Sequence, residues 1–161
     1  MASPRRRSSY AHFETYPTRW SDNDQYGHVN NAVYYHLFDA AVNTYLIKHC
    51  NLDPQSPTGA IALVVSSFCQ FYAPLSFPQR LVLGLRVTKL GKSSVSYELG
   101  VFPEDAPHDA PPAAVGGYTH VFVDSVARRS VPMDARTRRG LEALVRREPG
   151  DAGAPDARTK L

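Results

Sequence analysis

The stretch that most constrains this chain runs from Asn31 to Cys50. It is twenty residues long and contains no glycine or proline, which predicts one uninterrupted helix. His36, Asp39, Asn43 and Lys48 fall near a single stripe, and most of the remaining circumference is apolar. A helix apolar over most of its surface is expected to be buried. Asn30 stands where an N-cap belongs. Asn51-Leu52-Asp53-Pro54 supplies a terminator.

The segments around the helix have the two-residue period of strands. His12 to Trp20 reads as a first strand, and Pro17 points to an edge or a bulge there. Ile61 to Tyr72 is apolar on both faces in its first half, so it is expected to be covered on both sides. Leu81, Leu83, Leu85 and Val87 alternate with Val82, Gly84, Arg86 and Thr88. After a turn at Gly91-Lys92, Val95, Tyr97, Leu99 and Val101 alternate with serines and Glu98. This is a hairpin with one face inward. A Pro-rich loop over 103–113 leads to a last strand from Ala114 to Val126. Strand, long helix and four strands in that order predict an α+β fold, one antiparallel sheet around one helix.

The 161 residues suit a single domain. With 43% hydrophobic and 20% charged residues, the composition is that of an ordinary soluble globular chain. No apolar run approaches the ~18 residues that a membrane span needs. Cys50 and Cys69 form neither a disulfide framework nor a metal motif, and no secretory signal is evident. The expected compartment is therefore the cytoplasm, with no metal and no cofactor. Residues 1–11 are expected to be a disordered basic arm, with a transit-peptide reading left open. Residues 12–131 are the expected domain, 132–148 a short surface helix and 149–161 a disordered tail. The net charge of +3 is concentrated at the two ends. Such runs read as solvated termini, or as help in attracting a polyanionic substrate. No nucleic-acid recognition motif accompanies them.

Chemistry is concentrated just ahead of the helix, in Arg19 to Asn31, RWSDNDQYGHVNN. Asp22 and Asp24 are two residues apart, so in an extended backbone they point the same way. Gly27 permits the chain to turn. Asn31 then lies in the first helical turn, where unpaired N–H donors meet the positive end of the helix dipole. A carboxylate delivered beside free N–H groups is the outline of a site for acyl chemistry. The carboxylate attacks or activates water, and the donors hold the developing oxyanion. The competing role for Asp24 is to cap its own turn. Asp22 reads as an orienting partner for Arg19. His28 either positions substrate or bonds the backbone. Tyr34 and Tyr35 are near enough to the helix start to line an acyl pocket.

These motifs resemble the hotdog-fold acyl-CoA thioesterases, particularly the 4-hydroxybenzoyl-CoA thioesterase group. The resemblance covers roughly Phe13 to Val131. It rests on D-x-D-x-x-G-x-V at Asp22–Val29 with the long helix directly after it, on F-x-x-P at Phe71–Pro74, and on the hairpin turn Leu90-Gly91-Lys92-Ser93-Ser94. The resemblance implies a central helix wrapped by five or six antiparallel strands, and hydrolysis of an acyl-CoA. It also implies a homodimer or homotetramer joined at sheet edges. By position it makes Asp24 the catalytic carboxylate and the Asn31 N–H the group that polarises the thioester carbonyl. Gly27, Tyr34, Tyr35 and Lys92 fall in substrate-binding positions, Lys92 towards the coenzyme A phosphates. His28–Asn31 also resembles plant acyl-carrier-protein thioesterases, which use a histidine at the position of His28 but have asparagine where this chain has Tyr26. The catalytic role of His28 therefore stays open. A hydratase or dehydratase on the same fold, or a non-catalytic acyl-CoA binder, are the alternative functions.

Overall fold

The computed structural model describes residues 5–56 and 59–146. Five strands and two α-helices follow in the order β1 (His12–Pro17), α1 (Asn31–Cys50), β2 (Ala60–Phe71), β3 (Arg80–Leu90), β4 (Ser94–Pro103), β5 (Ala114–Asp124) and α2 (Ala135–Glu142). All strand pairs are antiparallel, in one sheet ordered β1-β3-β4-β5-β2. This is the expected α+β layering, with five strands. α1 starts at Asn31 because the Asn30 side chain accepts the Ala32 N–H at 2.9 Å. It stops at Asn51, whose φ of 59° is left-handed, a conformation asparagine tolerates better than most residues.

The core lies between α1 and the inner face of the sheet. Tyr34, Phe38, Val42 and Leu46 pack over Leu83, Leu85, Tyr97 and Leu99. On β5, a side chain at Gly116 would collide with the Phe38 ring. α1 is buried on one face only, with Tyr35 38% and Ile47 50% exposed. The all-round burial expected for it does not occur, because the sheet covers the helix from one side. Among the described residues no helix is long and apolar enough to cross a membrane.

β2 also differs from its expected setting. It lies at the edge of the sheet and pairs only with β5. Its residues Leu63, Val64, Val65 and Phe68 are exposed rather than covered. An apolar edge with unpaired backbone groups is a template for another strand.

Within the arm expected to be disordered, residues 5–11 are ordered. Arg7–Ser9 form a 3-10 turn, and Tyr10 is buried against Val82 and Phe102 on the outer face of the sheet. Gly84 and Gly100 sit opposite each other in the β3–β4 ladder. Together they leave a trough for the Tyr10 ring, since a Cβ at either would come within 2.6 and 2.5 Å of it. The Arg7 guanidinium lies 5.4 Å from the centre of the Phe102 ring. Glu98 accepts from Arg5 Nε at 2.9 Å and from Arg86 Nε at 3.0 Å. Arg86 is fully buried, and a buried charge needs a counter-charge. One aromatic and one partly buried acid thus anchor a segment whose composition reads as solvated.

The second helix is shorter than the expected 132–148. Asp134 accepts the N–H groups of Arg136 and Thr137 at 2.8 and 2.9 Å, so the helix begins at Ala135. The expected tail, 149–161, lies outside the described residues.

Candidate active site

Between β1 and α1 the chain passes through a 3-10 turn, Trp20–Asp22, and then a tight turn at Asp24–Gly27. The two carboxylates of this loop are in different states. Asp22 is buried. It accepts the Arg19 backbone N–H at 2.7 Å, Arg19 Nε at 3.0 Å and Arg19 Nη2 at 2.8 Å. Burial alone would raise its pKa, but these hydrogen bonds and the Arg19 charge together outweigh burial and hold it below the ordinary value. Its carbonyl accepts the Asn30 N–H at 2.8 Å, which fixes the approach to α1.

Asp24 closes the tighter turn. Its N–H donates to the His28 carbonyl at 2.8 Å, and its carbonyl accepts the Gly27 N–H at 3.1 Å. Gly27 has a φ of 79°, the left-handed region where a side chain would be strained. Asp24 Oδ1 accepts from the N–H groups of Tyr26 at 2.8 Å and His28 at 3.4 Å. Oδ2 accepts no hydrogen bond among the described residues. The turn-capping role and an available oxygen therefore coexist in one carboxylate.

That carboxylate lines a cleft of about 380 Å³. Asp24, His28 and Asn31 form one side, Tyr34 enters from α1, and the segment 71–75 forms the other side. Two hydrogen bonds fasten the sides together, Val29 N–H to the Leu75 carbonyl at 2.7 Å and Phe77 N–H to Asn23 Oδ1 at 3.0 Å. The donors at the helix start are mostly used. Asn30 N–H is taken by Asp22, Ala32 N–H by the Asn30 side chain and Val33 N–H by the Asn30 carbonyl. The Asn31 N–H has no acceptor among the described residues. It is the open donor at the positive end of a twenty-residue helix.

Tyr34 is buried, with its ring edge-on to Phe71 at 5.0 Å. Burial, with a smaller contribution from Cys69, pushes its pKa up to about 12, so it stays a neutral hydroxyl. Burial likewise pushes the Cys69 thiol up to about 12. It pushes Cys50 up to about 11, helped by the charge of Asp134. Neither cysteine is a thiolate at neutral pH, which argues against a thiol nucleophile. Among the described residues no group of three or more histidine, cysteine or acidic side chains is placed to hold a metal ion.

Asp24, His28, Asn31 and Tyr34 thus come together in one cleft. Tyr35 does not line it and packs against Phe38 instead. Consecutive helical residues point apart, so Tyr34 and Tyr35 cannot share one face. Gly27 shapes the turn without lining the cleft. Lys92 is also absent from it. It sits in the β3–β4 turn beside Ser93 and Ser130, at the end of the sheet away from Phe71. The wall from Tyr72 to Leu75 was not anticipated as part of the site. The F-x-x-P motif was its only mark in the sequence.

The model of the thioesterase superfamily matches residues 26–107, so the chain belongs to that family. Among solved structures, the PA5185 protein of Pseudomonas aeruginosa is 49% identical. The match covers 87% of this chain and 95% of that one, with a TM-score of 0.82. The PA2801 protein of the same organism, a proposed thioesterase, is 26% identical over 81% of this chain and 97% of its own, with a TM-score of 0.73. Slr0204 of Synechocystis, a 1,4-dihydroxy-2-naphthoyl-CoA thioesterase, is 17% identical over 82% and 96%, with a TM-score of 0.72. This last likeness is one of fold. No curated protein matches the chain.

Proposed function

We propose that this protein hydrolyses an acyl-CoA thioester to the free acid and coenzyme A. The observation that carries this reading is the pairing, in one cleft, of an unengaged Asp24 Oδ2 with an unengaged Asn31 N–H. A thioester carbonyl seated there has its oxygen at the helix start and its carbon open to Asp24. The Asn31 N–H and the helix dipole stabilise the oxygen as it gains charge. Asp24 then attacks the carbon to form a mixed anhydride that water opens, or it takes a proton from the attacking water. In both routes the C–S bond breaks and the departing thiolate takes up a proton. His28, on the same side of the cleft, is a positioning group for the water or the carbonyl. Tyr34, buried and neutral, lines the same cleft from α1.

A second copy of the chain belongs to this reading. The free apolar edge of β2 supports a two-fold junction of two sheets. Two β2 strands joined antiparallel bring the Ala60 end of one copy beside the Phe71 end of the other. The Lys92 turn lies at the Ala60 end of the sheet. The partner subunit's Lys92 is then the cation that meets the coenzyme A phosphates.

The test is thiol release over a panel of acyl-CoA esters, with Asp24→Asn as control. Release that depends on Asp24 is the expected result. Binding without release would leave a non-catalytic binder. An altered acyl chain on an intact thioester would mean a hydratase.

A further inference from the structure

Tyr34 follows Asn31 within the first turn of α1 and lines the same cleft as Asp24. It is 3% exposed, and its ring is held edge-on against Phe71. Other tyrosines around α1 and the cleft have spent their hydroxyls. Tyr45 donates to the Gly140 carbonyl at 2.7 Å, Tyr118 donates to Asp39, and Tyr72 donates to Gln70 Oε1 at 2.9 Å. The Tyr34 hydroxyl makes no hydrogen bond among the described residues. The Tyr97 hydroxyl makes none there either, but it is sealed inside the core, out of reach of a ligand. The Tyr34 hydroxyl is not sealed.

A hydroxyl that is nearly buried and unpaired costs stability that a phenylalanine in its place would not. The cost grows when the cleft fills, because an acyl group lying along Tyr34 drives water from it. Only an acyl group with its own oxygen gives the hydroxyl a partner again. A site of this kind discriminates well, since a substrate without that oxygen leaves the polar group dry. The placement is also apt. Asn31 and Tyr34 are about 4.5 Å apart along the helix axis and near one face. A carbonyl held at the Asn31 N–H thus brings the rest of the acyl group to Tyr34. The charged coenzyme arm stays with water, whereas a side chain as buried as Tyr34 meets the acyl arm. Phe71, against which the ring rests, ends the edge strand β2 and is half-exposed. The acyl group and Tyr34 therefore meet at the edge where the second copy approaches.

Resting on the thioesterase reading above, we propose that Tyr34 is a specificity-determining residue whose hydroxyl hydrogen-bonds an oxygen carried by the acyl group. The favoured substrates are acyl-CoA esters with a hydroxyl or keto oxygen on the acyl part. Plain hydrocarbon acyl groups are disfavoured.

The experiment measures binding of non-hydrolysable coenzyme A thioethers by calorimetry, in pairs matched for length. S-butyl is compared with S-(3-hydroxybutyl), and S-hexyl with S-(5-hydroxyhexyl), which sets the oxygen at two depths. The proteins are the wild type and Tyr34→Phe, which should fold because the hydroxyl bonds nothing in the chain. Tyr34→Leu serves as a second variant should the first fail to fold. The wild type should bind the hydroxylated member of at least one pair about tenfold more tightly, the scale of one hydrogen bond. Loss of the hydroxyl should level that pair, and Tyr34→Phe should bind the plain member as well as the wild type does or better. Equal affinities within both pairs in the wild type would overturn the proposal, as would a preference that survives loss of the hydroxyl. Thiol release from the corresponding acyl-CoA esters is scored separately. A Tyr34-dependent preference without thiol release defeats the hydrolase reading and leaves the Tyr34 assignment standing. Release with no such preference does the reverse.

Discussion

Lowering the pH from 7 towards 4 should cost the fold about 3 kcal/mol through His120 alone. His120 projects from β5 into the core beneath α1 and is 1% exposed. The rings of Tyr118 and Tyr97 enclose it at 4.9 and 5.6 Å. Its Nδ1 has no hydrogen-bond partner among the described residues. Burial pushes its pKa down from 6.5 to about 4, against a smaller opposite pull from Asp39, whose carboxylate accepts the Tyr118 hydroxyl. The sign follows from which state binds the proton. Below pH 6.5 the unfolded chain takes it up while the folded chain does not, so stability is whole above 6.5 and falls until the pH reaches about 4. The gap between those values, at 1.36 kcal/mol per unit, amounts to about 3 kcal/mol. Between pH 6.5 and 5 the comparison with a variant lacking His120 isolates its contribution. The carboxyls held below their ordinary values, Glu14, Asp22 and Asp134, lose their contributions at lower pH. The assay is urea unfolding followed by circular dichroism at pH 7, 6 and 5 and fixed protein concentration, for the wild type and for His120→Leu. The wild type should lose about 2 kcal/mol between pH 7 and 5, and His120→Leu should be nearly flat there. A flat wild-type curve, or the same slope in both proteins, would refute the reasoning.

Four further outcomes follow from the site and the sheet edge. Asp24→Asn should lower kcat by about 10² or more with little change in KM, since the lost interaction belongs to the transition state. Asp22→Asn should instead cost about 1–3 kcal/mol of stability by weakening its bonds to Arg19, with kcat nearly kept. Steady-state kinetics and urea unfolding on both variants separate the two roles, and near-normal turnover in Asp24→Asn would defeat the assignment. Lys92→Glu should raise KM for coenzyme A esters more than it lowers kcat, because phosphate binding is largely uniform binding. An unchanged KM removes Lys92 from the substrate. Sedimentation at micromolar concentration should find a dimer or a higher even assembly, and a lone monomer there would contradict the β2 junction.

The parts of this fold that were legible beforehand are those whose cause is local. α1 spans the expected Asn31–Cys50 because Asn30 caps it and no glycine or proline interrupts it. The β3–β4 hairpin follows from its alternation and from the turn at Gly91. What escaped reading depends on contacts distant in sequence. Nothing in the run Ile61–Phe71 says that the strand lies at the edge of the sheet with Leu63, Val64, Val65 and Phe68 exposed, so an edge strand reads as a central one. Arg5 and Tyr10 read as part of a solvated arm because Glu98, Gly84 and Gly100, which hold them, lie far downstream. The site divides the same way. Asp24, Gly27 and Asn31 stand in one short run, whereas the wall Tyr72–Leu75 arrives from the other side of β2. Tyr34 and Tyr35 were indistinguishable until the helix had a facing partner.

The arm across the back of the sheet also imposes an order on how the molecule comes into being. Arg5 ends beside Glu98, 93 residues later in the chain. The trough for Tyr10 is made of Gly84 and Gly100. During synthesis the amino-terminal segment therefore emerges long before any surface exists to receive it. β4 must be made and paired with β3 before Tyr10 has a place to lodge. A segment made well before its receiving surface is thus among the last to settle, and its docking reports that the β3–β4 hairpin is already in register.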